Sequence, residues 1–294
     1  PLIKDRIFGL CRDYLNGIHS DGVCEEGAGY WNYGFAYLVY FADIFNQKFG
    51  EIPDFMFDKK IKLTLEYHKN SIIGNRLIQF ADVDPYSVKD YSICELTIKK
   101  LFKDYELPKY DFYSCSDFNE YALGSRVIDQ IGASVLGARV IDSIGRFETT
   151  EKATSRYFSK FYEDSQVFLY DSKNYSFATK GGHNHEMHNH NDIGSFYLIK
   201  NDKRIIADFG RGEYTWEYFN SEKERYGDKI FVCGSQSHSV PIIDGEFQKF
   251  GWNKKAKCID YTNNSVKFDI IKAYGIEDAT LTVEYVCNEN NLKI

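Results

Sequence analysis

The feature that most constrains this 294-residue chain is a change of hydrophobic period part-way along it. Up to about residue 157, apolar side chains recur at helical spacing; beyond it they fall into short β-type runs separated by turns. Ile3, Ile7, Leu10 and Tyr14 predict one face of a helix over Leu2–Leu15, broken by Asn16-Gly17 and Asp21-Gly22. A second helix is predicted from Tyr30 to Phe49, closed by Gly50 and Pro53. It carries two stripes, Tyr33/Tyr37/Tyr40/Ile44 and Trp31/Phe35/Leu38/Phe45, so burial between neighbours is expected. Asp84-Pro85 reads as N-cap and N1 of a helix with Val88, Tyr91, Cys94 and Ile98. Ser116 with Asn119-Glu120 opens another toward Ile144, and a last helix covers Glu151–Phe161. No β-alternation interrupts this part, which is expected to be all-α.

The strand-like runs are Gln166–Tyr170, Tyr175–Ala178, Ser195–Ile199, Arg204–Ala207, Lys229–Cys233, Val240–Ile243, Val266–Ile271 and Thr280–Val286. Turn signals such as Asp171-Ser172-Lys173-Asn174 and Asp244-Gly245 separate them, which predicts an antiparallel sandwich or barrel. Two domains follow: a helical one over 1–157 and an antiparallel β domain over 158–294. The sequence opens at Pro1 already in helical pattern and ends on a strand, so both domains are expected to continue beyond it.

Composition narrows the class. Hydrophobic residues at 43% and charged residues at 27% describe a soluble globular protein. The net charge of −7 and the lack of a long Lys/Arg run argue against a nucleic-acid partner, though not against an anionic substrate in a basic cleft. No run approaches the roughly 20 apolar residues of a spanning helix, so no membrane partner is expected. The seven cysteines are scattered without C-x-x-C, which points to free thiols rather than a metal or disulfide framework.

Four of the seven histidines fall within Gly181-Gly182-His183-Asn184-His185-Glu186-Met187-His188-Asn189-His190-Asn191-Asp192. Imidazole is both a common metal ligand and the usual acid/base near neutral pH. On an extended backbone His188 and His190 would face one side, roughly 7 Å apart. One is then free to ligate a metal while the other stays beside it. Asp208 and His238, from later strand ends, are the further candidate ligands, a His/Asp/His set suited to Zn²⁺ with one position left for water.

These residues carry a resemblance. The run Lys180–Glu186 to His188–Phe196 resembles the signature of heparinase II/III-like polysaccharide lyases. Ala207-Asp208-Phe209-Gly210 to Glu213-Tyr214-Thr215, and His238–Pro241 to Asp244–Gln248, resemble it too, as does Asp21-Gly22 through Glu26-Gly27 to Tyr30 in the helical part. The resemblance runs from about residue 20 to residue 250. It implies an incomplete (α/α) toroid followed by an antiparallel β-sandwich, and β-elimination on a uronic-acid polysaccharide. A base takes the C5 proton, an acid protonates the departing O4, and neutralisation of the uronate carboxylate makes C5 acidic enough.

Carried onto this sequence, the resemblance implies Tyr30 and His188 as the catalytic pair and His190, Asp208 and His238 as ligands of a structural zinc. Tyr33, one turn from Tyr30, is the alternative acid/base or a substrate contact. Glu26 either caps its loop or meets substrate. Arg225 either pairs with a substrate carboxylate or forms a surface ion pair, and His183 and His185 either line the cleft or are solvated. The family's carboxylate-neutralising Asn or His lies farther before its tyrosine than this sequence extends; Asn16 and His19 are too close to Tyr30. That residue is expected upstream of Pro1, or the chain is catalytically incomplete. Family membership leans toward a periplasmic or secreted location and the free cysteines toward the cytoplasm. Two other functions stay open: a non-catalytic carbohydrate-binding or polysaccharide-assembly protein, and a zinc hydrolase.

Overall fold

The structure, a computed structural model, describes residues 2–74, 76–83, 93–105, 157–201, 203–220 and 230–294. The expected helix start at Asp84-Pro85, the helix from Ser116 to Ile144, residues 151–156 of the last predicted helix, and Arg225 lie outside them. The contacts divide the chain into two units. One comprises 1–31, 58–89 and 156–294; the described residues of the other are 32–57 and 93–105.

In the first unit α1 (Leu2–Gly17) buries Phe8 and Leu15, whereas Ile3 and Leu10 are exposed, so the stripe expected to be buried is rotated around the helix. α2 (Ala28–Phe49) begins in this unit, with Trp31 buried. α3 (Lys59–Asn70) was not anticipated, although its signals are ordinary. The Asp58 carboxylate accepts the Lys60 N–H at 2.8 Å as N-cap, and Ile61, Leu65 and His68 follow at helical spacing on the buried face. After α3, β1 (Ile72–Ile73) and β2 (Arg76–Leu77) form a small antiparallel pair, so the first part is not all-α.

In the second unit α2 continues, burying Phe35, Leu38, Val39, Ala42 and Phe45. Tyr33, Tyr37 and Ile44 are exposed there, so only one of the two predicted stripes faces a core. α4 (Ile93–Leu101) ends in lysines, and Lys100 Nζ meets the buried Asp43 carboxylate at 2.7 Å.

The predicted change of period holds. β3 (Phe158–Tyr162), β4 (Val167–Asp171), β5 (Ser176–Lys180), β7 (Phe196–Lys200) and β8 (Lys203–Ile206) form one antiparallel sheet in that order. β3 occupies residues expected to end a helix; pairing with β4 gives Phe158–Tyr162 an extended partner instead. A second sheet runs β10 (Lys257–Tyr261), β11 (Ser265–Asp269), β12 (Thr282–Cys287), β13 (Leu292–Lys293). The two share one core, in which Phe168 and Phe177 from the first meet Val266, Phe268 and Tyr285 from the second; the rings of Phe177 and Tyr285 are 5.3 Å apart. Two antiparallel sheets thus pack face to face. β6 (His183–Asn184) pairs separately with β9 (Gly251–Lys255).

Two expected strands are absent. Phe231–Cys233 forms a 3₁₀ turn, and Val240–Ile243 has only the bridge of Ile243 to Glu246. Their β-branched composition mimics a strand, but Pro241 has no N–H for a ladder. The Cys233 carbonyl is committed instead to the Asn191 N–H at 2.9 Å. Among the described residues no helix is long and apolar enough to cross a membrane. Six of the seven cysteines are described, and none of these six is in a disulfide.

Candidate active site

The histidine loop follows β5 and is held from inside by its alternating asparagines. Asn184, Asn189 and Asn191 are buried and bonded. Asn184 Nδ2 donates to Gln248 Oε1 and Asn191 Nδ2 to the Gln248 carbonyl, both at 3.1 Å. Gln248 clamps the loop exit through Ile193 N–H to Oε1 at 3.0 Å and Nε2 to the Ile193 carbonyl at 2.7 Å. Beneath it, buried Lys180 Nζ lies 3.2 Å from Glu186 and 3.1 Å from Asp192. Burial alone would lower the Lys180 pKa; the two carboxylates outweigh it and push it up.

The loop is a turn, not the extended segment expected, and His188 sits at φ +56°. His188 and His190 nevertheless converge, because both reach the carboxylate of Asp82. His188 Nδ1 lies 2.7 Å from Oδ2 and His190 Nε2 lies 2.9 Å from Oδ1. The Tyr218 hydroxyl donates to Oδ1, and the Tyr214 hydroxyl to Oδ2 at 3.3 Å. Burial works to raise the Asp82 pKa, but the bonds from His188, His190 and Tyr218 and the charge of His190 hold it well below the carboxylate range. Reciprocally, burial works to lower the His190 pKa, and Asp82 with the Cys233 thiol raises it to about 10.

An ionised carboxylate only accepts hydrogen bonds, and that sets the histidine tautomers. His188 carries its proton on Nδ1, which leaves Nε2 as the basic nitrogen. His190 turns its Nε2–H to Asp82, and its Nδ1 is buried without a hydrogen-bond partner; with its pKa raised the ring is an imidazolium, and Nδ1 offers a lone pair once a bound cation displaces that proton. In the same way His238 Nδ1 donates to Asp208 Oδ2 at 2.6 Å, and His238 Nε2 is buried without a partner. Candidate ligand atoms of His190, Asp208 and His238 all lie within 4.8 Å of one another. His190 and His238 each keep one ring nitrogen without a partner and turn the other to an Asp, and with Asp208 they form an N/O donor set that fits a zinc ion once His190 gives up its second proton.

Tyr30 is placed by its loop. Gly22, at φ +89°, passes so close to α3 that a β-carbon would lie 2.4 Å from the Leu63 carbonyl carbon. Gly27, at φ +95°, leaves only 2.6 Å between such an atom and the Phe80 oxygen. Only glycine fits these two close passes, and they set the start of α2 beside residues 80–83. The Tyr30 ring stacks on His188 at 4.1 Å, with 24° between planes. Its hydroxyl is 2.6 Å from that of Tyr214. Tyr214 has one proton and gives it to Asp82, so Tyr30 donates to Tyr214. Burial raises the Tyr30 pKa, which keeps it a phenol and a proton donor near neutrality. The Arg211 guanidinium, 5.1 Å above the Tyr214 ring, puts a cation beside this pair.

The remaining predicted residues divide. Glu26 lies on the same loop, close enough for its charge to act on Tyr30. Tyr33 is exposed and packs edge-on against Tyr37 at 5.4 Å in the other unit. His183 is half-buried against Trp252 at 4.6 Å, and His185 stacks on Trp252 and Phe250. Asp82, Tyr214, Tyr218 and Arg211 were missed as site residues. Tyr214 stood inside a quoted motif, but Asp82, in Phe80-Ala81-Asp82-Val83, carries no local signal.

No family model matches this sequence, and no curated protein does. Solved structures do match in fold. Over 95% of this chain and 38% of the other, the heparinase III-BT4657 gene product superposes with a TM-score of 0.62 at 14% identity. A mutant of heparan sulfate lyase HepC from Pedobacter heparinus gives 0.61 at 12% identity, over 95% and 39%. A further heparinase III structure gives 0.61 at 14%, over 94% and 40%. The chain shares the fold of these lyases and spans about two-fifths of their length.

Proposed function

We propose that this chain carries the proton-transfer site of a polysaccharide lyase acting on a uronic-acid-containing polymer by β-elimination. The observation that supports it best is the stack of Tyr30 on His188, with both side chains tied to Asp82. His188 Nε2 takes the C5 proton of the uronate. The released electron pair forms the C4–C5 double bond as the C4–O4 bond breaks, and Tyr30 gives its proton to O4. Asp82 holds the imidazolium that results, and the charge of Arg211 favours the phenolate. Arg211 and Arg225 are the cations proposed to face the substrate carboxylate.

The fold shared with heparan sulfate lyases supports a sulfated or unsulfated uronate polymer as substrate, and an (α/α) toroid as the architecture completing the helical part. His190, Asp208 and His238 would hold zinc, whose chemistry there is to fix the loop beneath the cleft. Its three-ligand form also supports a second reading, a zinc hydrolase. The polymer panel is alginate, heparan sulfate, chondroitin sulfate and hyaluronan, with ultraviolet absorbance of the new double bond as readout. Wild type should generate it on at least one polymer, and Tyr30→Phe and His188→Ala should lose it with zinc content intact. Zinc-dependent cleavage without that absorbance would favour hydrolysis. Sugar binding without cleavage would favour a binding protein.

A further inference from the structure

Trp252 is a large aromatic residue left mostly outside, 65% exposed on β9, while Trp31 is buried at 1%. Tryptophan is seldom this exposed without a partner to meet, since its ring removes much apolar area from water when covered. It is also not loose. His185 stacks on it at 4.5 Å with 23° between planes, and on Phe250 at 4.7 Å with 25°. His183 packs on it at 4.6 Å. The pairing of β6 with β9 brings the two histidines to the indole. The result is a pre-positioned aromatic surface, the arrangement that limits the entropy lost when a ligand settles on it.

The run of sequence that carries it is basic in an acidic protein. Lys249-Phe250-Gly251-Trp252-Asn253-Lys254-Lys255-Ala256-Lys257 has four lysines and no acid, against a net charge of −7 for the chain. Lys249 is taken by Glu246 at 2.5 Å, while Lys255 and Lys257 are exposed. The axial C–H bonds of a pyranose carry partial positive charge and suit the negative face of an indole, while the lysines suit carboxylate or sulfate groups on the same polymer.

We propose that Trp252, held by His185 in a run that also carries Lys254, Lys255 and Lys257, is a sugar-stacking subsite for an anionic polysaccharide. It rests on the polysaccharide reading above and adds a contact away from the reacting linkage, on the strand that pairs with β6 of the histidine loop.

The test measures binding of heparan sulfate, chondroitin sulfate, hyaluronan and alginate by isothermal titration calorimetry, with dextran as the neutral control. The Tyr30→Phe protein is used so that no turnover intervenes. At least one anionic polymer should bind, and Trp252→Ala in that background should weaken its binding about tenfold, as loss of an aromatic anchor does. Trp252→Phe should stay within about threefold, because a ring remains. Replacing Lys254, Lys255 and Lys257 by Gln should flatten the salt dependence. Equal affinity with and without Trp252, equal binding of dextran, or no binding of any of the four polymers would each overturn the subsite. Trp252-dependent binding in a wild-type protein that never eliminates would keep the subsite and overturn the lyase. A lyase whose KM is indifferent to Trp252→Ala would do the reverse.

Discussion

Asp82 ties the histidine loop, the tyrosine pair and the metal-ligand cluster to a single carboxylate. Asp82→Asn keeps the shape but turns an NH₂ toward one of its donors, so the tautomers of His188 and His190 are no longer enforced. Turnover should fall on the order of 10³–10⁴-fold, as when a histidine's orienting carboxylate becomes an amide. Asp82→Ala, which leaves buried donors without an acceptor, should also cost about 3–5 kcal/mol in denaturant unfolding. A variant with near-native turnover would show that Asp82 only packs the loop. His68 gives a separate prediction. It stacks on Trp31 at 3.7 Å with neither ring nitrogen bonded, and burial pushes its pKa from 6.5 down to about 3. Between those values the unfolded chain binds a proton that the folded chain refuses. This contribution to stability is therefore intact above pH 6.5 and drains as pH falls toward 3. From pH 7 to 4.5 the loss is about 3 kcal/mol by linkage. His68→Phe, which keeps a ring on Trp31, should flatten that slope in urea midpoints measured across pH.

The strands of the two main sheets were legible where they had to be half-buried. Phe168, Phe177, Val266, Phe268 and Tyr285 all stood in predicted runs and all line the shared core. Phe177→Ala should cost about 3–5 kcal/mol, since the ring meets Phe168, Phe196 and Tyr285 in a closed interior. Thermal or denaturant unfolding measures it; a loss under 1 kcal/mol would mean the sheets repack freely. Other elements were illegible for physical reasons. β9 is mainly lysine and polar residues with one exposed indole, so its pairing with β6 leaves no alternation to find. Phe231–Cys233 and Val240–Ile243 have strand composition, but their backbones serve the histidine loop and a tight turn. α3 was readable from Asp58 and the Ile61, Leu65, His68 spacing. The pairing of His188 with His190 was legible as a cluster, while their convergence was not. It needs Asp82, more than a hundred residues earlier in the chain, and only tertiary closure brings that carboxylate in.

Taken whole, the chain joins a helical part to two packed antiparallel sheets, in a fold it shares with heparan sulfate lyases over about two-fifths of their length. The fold by itself does not dictate chemistry; the site does. Two reactions compete: elimination through Tyr30 and His188, and hydrolysis through a zinc on His190, Asp208 and His238. Elimination needs only a base, an acid and a neutralised carboxylate, and takes up no water. Hydrolysis by a zinc-bound water must place that water's oxygen in the product. Digestion of each polymer of the panel, carried out in ¹⁸O-labelled water with any products weighed by mass spectrometry, separates them. Fragments with an unsaturated non-reducing end and no ¹⁸O added at cleavage are the result predicted here. Saturated fragments that each carry one ¹⁸O would contradict it.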